Sequence, residues 1–112
     1  MSYGGAFCPK GPTLALDVTT GASAVQSIDV SNEGASYVAW RFAWQGSGLC
    51  QINYAKGGAN APVITTPVSG SRYAGFTMNP GQVEVFQLPS SLQLIALASI
   101  AGRLEVTPGE GF

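Results

Sequence analysis

The chain has 112 residues, 46% of them apolar and only 10% charged, with a formal net charge of −1. One domain of this length buries roughly two thirds of its unfolded surface, enough for a core without covalent staples. The five basic residues, Lys10, Arg41, Lys56, Arg72 and Arg103, are scattered and no apolar run is long enough to span a bilayer, so neither nucleic acid nor a membrane is an expected partner.

The charged fraction falls well below the ~25% usual for a soluble domain. The surface must then consist of Ser, Thr, Gln, Asn, Gly and exposed apolar groups. Such a surface suits a protein that resides in a lattice or complex.

Residues 1–11 contain three glycines, one proline and two isolated aromatics, Tyr3 and Phe7, without any period. They read as an extended N-terminal arm whose aromatics dock on a neighbouring subunit, leaving 12–112 as a single domain. The first residues carry neither a basic region nor an apolar signal core. The expectation is a protein that stays in the cytosol where it is made, or leaves as part of a larger particle.

Thr13–Thr19 alternates Leu14, Leu16 and Val18 with Thr13, Ala15 and Asp17, a strand pattern. After the turn at Thr20-Gly21-Ala22, Val25–Ser31 places Gln26, Ile28 and Val30 on one face. Asn32-Glu33-Gly34 supplies the next turn. Ser36–Gln45 is the strongest strand: Val38, Trp40, Phe42 and Trp44 share one face at period two, whereas a helix would scatter them. These four are the predicted core. Leu49–Tyr54 follows as a strand, then a loop over Ala55–Ala61. Pro62–Val68 reads as a short extended segment that Pro67 confines to a sheet edge. Arg72–Met78, Val83–Leu88, Leu92–Ala98 and Arg103–Thr107 complete the series, separated by turns. Leu92–Ala98 is apolar on both faces except at Gln93, so it is a central strand or a subunit contact. Pro108, Gly109 and Gly111 are expected to end the ladder and free the tail. The fold class is all-β: a jelly-roll or Greek-key β-sandwich of eight or nine short antiparallel strands behind the arm.

Histidine is absent, which removes Ser-His-Asp and Cys-His catalysis and the usual metal ligand. Two cysteines alone make no zinc site. Cys50, in an alternating apolar run, is a small core residue, and in a cytosolic product it and Cys8 stay reduced. The six acids stand singly along the chain, and no nucleophile–base pair assembles from a local motif. The expectation is no enzyme, no cofactor and no metal. Trp40 and Trp44 on one face admit one binding hypothesis, a platform for sugars as in carbohydrate-binding modules; burial in the core is the competing reading.

Three segments carry a family resemblance. Ser27–Gly34 followed by Ala35–Phe42 resembles the "valine–asparagine–x–glycine, then aromatic–valine–x–x–arginine–phenylalanine" stretch of small tailed-phage virion proteins. Met78–Phe86 is similar to their "proline–glycine–x–x–glutamate–x–phenylalanine" turn and strand. Leu104–Phe112 is similar to their "threonine–proline–glycine–glutamate–glycine–apolar" ending. The matches run in order along the chain, while Gly46–Ser71 matches no such pattern. In size and style the chain resembles the capsid decoration, cement or staple proteins of short-tailed phages.

That resemblance implies a non-enzymatic jelly-roll subunit, made in the bacterial cytoplasm and seated on the outside of an icosahedral head. Its partners would be the phage major capsid protein, whose neighbouring subunits it clamps, and itself, as a dimer or trimer at a local symmetry axis. Tyr3 and Phe7 in the arm, with Pro108 and Phe112 in the tail, are the expected contacts. The alternative within the virion is a tail, fibre or head–tail joining component.

Overall fold

Alternation along the chain produces nine strands among the described residues, which in this computed structural model are 7–30, 36–66 and 68–110. They are β1 (Cys8–Pro9), β2 (Leu14–Val18), β3 (Gln26–Asp29), β4 (Tyr37–Gln45), β5 (Cys50–Lys56), β6 (Phe76–Met78), β7 (Val83–Pro89), β8 (Ser91–Ala98) and β9 (Gly102–Glu110). All pairings are antiparallel. One sheet has five strands in the order β1-β9-β4-β7, with β2 also on β9; the other has four, β3-β8-β5-β6.

The pairing is nested. β2 pairs β9, β3 pairs β8, β4 pairs β7 and β5 pairs β6, so the outermost strands in sequence embrace the inner ones. Three further pairings, β1 with β9, β4 with β9 and β5 with β8, complete the two sheets.

The core lies between the sheets. Trp40, Phe42 and Trp44 from β4, Leu104 and Val106 from β9 and Val18 from β2 meet Cys50, Ile52, Met78, Leu92, Leu94 and Ala96 from the opposite sheet. Val38 packs against this cluster while partly buried. Both indoles donate to backbone carbonyls, Trp40 Nε1 to Pro89 O at 3.0 Å and Trp44 Nε1 to Gly48 O at 2.8 Å. The only polar atom of each ring is thereby satisfied, which lets so large a side chain sit in the interior. Phe42 adds edge-to-face contacts with Phe76 and Phe86 at 5.6 and 5.7 Å between centroids.

Two expectations are corrected here. The described part of Pro62–Val68 is not an edge strand: residues 60–66 and 68 belong to no sheet, and Pro67 lies outside the described residues. The chain also does not leave the ladder at Pro108. β9 continues to Glu110, and Pro108 is buried opposite Trp40. The reason is directional. In an antiparallel strand the N–H and C=O of one residue point to the same side. Pro108 O accepts from Lys10 N at 2.9 Å, so the missing N–H faces the arm and the ladder to β4 loses no donor.

Candidate contact surface

The predicted contact residues separate. Phe7 is half-buried against its own chain, beside Gly109. A Cβ at Gly109 would collide with the Cys8 carbonyl and the Phe7 ring, so glycine is what lets the arm close over β9. Cys8 pairs with Glu110 and Pro9 with Gly109, which makes this part of the arm a strand of its own sheet rather than a free extension. Pro108 is covered by the subunit itself. Tyr3 and Phe112 lie outside the described residues.

Trp40 is 0% exposed and Trp44 1%, which overturns the sugar platform. No ring face is open for a sugar to stack on. Cys8 and Cys50 are both free thiols, and Cys50 is fully buried. Burial pushes the Cys50 thiol up from 9.0 to about 12. Among the described residues, no three His, Cys, Asp or Glu side chains gather to hold a metal ion.

The charges sit at the periphery. Asp17 and Arg103 pair across β2 and β9 at 3.4 Å, and Lys10 and Glu110 pair at 3.6 Å. Both pairs are exposed, where such contacts contribute about 0–1 kcal/mol.

What stands out instead is apolar surface. Val63 is 74% exposed and Val68 65%, with Tyr73 and Tyr54 also exposed on the same stretch of chain from β5 to β6. Leu49 and Ile100 are exposed on two loops joined by the Leu49 N to Ser99 Oγ and Ser99 N to Leu49 O hydrogen bonds, each 2.9 Å.

The segment between β5 and β6 is held as a strap on the outer face of the four-stranded sheet. Cys50 and Ile52 turn inward, so Gln51 and Asn53 turn outward. Gln51 Nε2 donates to Thr65 O at 2.9 Å and Asn53 Nδ2 to Val63 O at 2.8 Å. Gln93 Nε2, from β8, donates to the Lys56 and Ala59 carbonyls at 3.0 Å, which fixes where the strap begins. Its far end passes close to β5 at Gly75. The backbone there has φ +97°, and a Cβ would strike the Ile52 carbonyl. Side-chain amides thus replace a backbone ladder, which is why an edge strand is absent. The sequence signal was the amides themselves: Gln51, Asn53 and Gln93 are long polar groups on strands that are otherwise apolar.

The three resembling segments supply much of β4, β7 and β9, where β4 pairs with both of the others, and, in Ser27–Asp29, most of β3 in the other sheet. The unmatched stretch Gly46–Ser71 instead supplies β5 and most of the strap. Compared with models of known protein families, with curated proteins and with solved structures, the chain matches none.

Proposed function

We propose that this protein is a structural clip of a phage particle, binding the outside of an icosahedral capsid and clamping neighbouring major capsid protein subunits. The observation that carries the reading is the ordered series of three resembling segments, which supply much of the adjacent strands β4, β7 and β9 together with most of β3. The nested antiparallel pairing in two sheets supports it, being compatible with the jelly roll that the resemblance implies. The strap side supports it as well. A charge-poor surface with exposed Val63, Val68 and Tyr73 docks at low desolvation cost. In this proposal the resembling sheet is the scaffold, and the strap side of the other sheet meets the capsid.

A clip needs no active site. It binds the assembled lattice and not the dissociated one, and so stabilises the lattice by mass action. Repetition over many junctions turns a modest contact into a large total. Self-association at a local symmetry axis and residence in the virion belong to the same proposal.

The test is co-sedimentation of the purified protein with expanded capsids of a short-tailed phage stripped of their decoration. Saturation on the order of hundreds of copies per particle is expected from lattice symmetry. Saturation at roughly six to twelve copies would instead place it at the tail or neck, where rings are small. No sedimentation with any capsid tested would remove the reading.

A further inference from the structure

We propose that the outer face of the four-stranded sheet carries a socket for one aromatic side chain bearing a hydrogen-bond donor, best met by a tryptophan of the partner protein. The inference rests on the clip reading for its partner, and on the geometry alone for the socket.

Beside the strap lies a cavity of about 330 Å³, walled by Leu49, Gln51, Thr66, Thr77, Leu97 and Ser99 among others. That is the low end of the roughly 300–1,000 Å³ of small-ligand sites, with room for one side chain and not for a length of chain. None of its walls carries a charge.

Two amides of β5 perform the same task unequally. Asn53 donates to the strap through Nδ2, and its Oδ1 accepts from Tyr54 N at 2.8 Å, so both ends are used. Gln51 donates to the strap through Nε2, but its Oε1 is buried and has no hydrogen-bond partner. The residue is only 5% exposed. An acceptor left in this state is costly, and it calls for a partner from outside the chain. Gln51 is also the amide that lines the cavity.

The occupant follows from these walls. A cationic donor would find no opposing charge among the lining residues. A purely apolar ring would fill the space against Leu49 and Leu97 but leave the oxygen unpaired. An indole brings an apolar body and one N–H that only donates, to an oxygen that only accepts. Tryptophan is also among the residues enriched at the energetic centres of interfaces. Because the oxygen is covered, its engagement parts the strap from the sheet at Thr65 and Thr66.

The test is an amide NMR titration of the whole protein with N-acetyl-tryptophanamide, with N-acetyl-phenylalaninamide as the donor-free control. Saturable shifts are expected at Leu49, Gln51, Thr66, Thr77 and Leu97, with the control about tenfold weaker. Gln51→Met should weaken the tryptophan probe by about the same factor. The control ligand needs no variant, so the donor's role is readable even if Gln51→Met fails to fold. Equal affinity for the two probes, or no saturation in the millimolar range, overturns the socket. A second arm fills the cavity with Thr66→Trp. Loss of capsid co-sedimentation supports the partner assignment; retained binding overturns it and leaves the clip intact. If the unaltered protein binds no capsid, the clip reading falls, and the probe titration alone decides the socket.

Discussion

Cys50 and Gln51 are neighbours on β5, and alternation sends them to opposite faces. Cys50 enters the core as a small apolar group, as its place in an alternating run led one to expect. Its thiol, pushed up to about 12, keeps its proton in the native state far above neutrality. The native protein is therefore expected to react with a disulfide reagent at pH 8 only at Cys8. Cys50 should appear after unfolding, and equal rates at the two thiols would contradict its burial. The same shift sets a pH dependence. Below 9.0 both states hold the proton and the term is constant; from there to about 12 the unfolded chain loses it while the native state does not. Stability must fall as pH rises through that window. Urea melts of the wild type and Cys50→Ala, compared between pH 8 and 11, should show a steeper loss in the wild type. Gln51 could not be assigned a role from sequence. Its outward direction was legible, but the strap that buries it arrives from residues 14 positions away.

Strands were the legible elements, and their ends and neighbours were not. The period-two face of Val38, Trp40, Phe42 and Trp44 identified β4 because four large side chains on one side have no other economical arrangement. Leu92–Ala98, apolar on both faces, was left between a central strand and a subunit contact. Its pairing with β3 and β5 makes β8 central. Pro108 misled for a simple reason. Proline lacks a donor, but whether a donor is needed depends on which side the neighbour lies, and sequence does not state sides. Truncation after Thr107 should consequently damage the fold itself, since Gly109 and Glu110 pair with β1 and Pro108 and Gly109 with β4. A stability loss on the order of 2–4 kcal/mol is expected from uncovering Trp40 and cutting ladder bonds. A urea midpoint equal to that of the full chain would contradict this register. Truncation after Glu110 spares these pairs, and is the variant with which to test contact through Phe112. Gly75→Ala is expected to cost about 1–3 kcal/mol, since φ there is +97° and the Ile52 carbonyl leaves no room; an unchanged midpoint would refute the close approach.

At the scale of the molecule, nesting joins the ends of the chain. Leu14 pairs with Val106 and Leu16 with Leu104, so the strands that close the larger sheet are almost a chain length apart. Loop closure on that scale must precede its reward, and folding is expected in milliseconds to seconds rather than microseconds. Stopped-flow refolding followed by the buried Trp40 and Trp44 reports it directly. A microsecond phase carrying the full amplitude would argue against nested pairing. The same nesting divides the surface. It sets β4 between β7 and β9 in one sheet and leaves the segment Gly46–Ser71 to the opposite sheet, where the proposed contacts lie.

The sequence by itself determined an all-β chain, the inward face of β4, the burial of Cys50 and a surface poor in charge. Each of these follows from local alternation and composition, which act over a few residues. Only the tertiary structure decided that the arm closes on β9, that β9 runs through Pro108, and that residues 60–66 form a strap held by amides. Those outcomes depend on which distant strand supplies a donor, an acceptor or an empty space, and no local pattern carries that information.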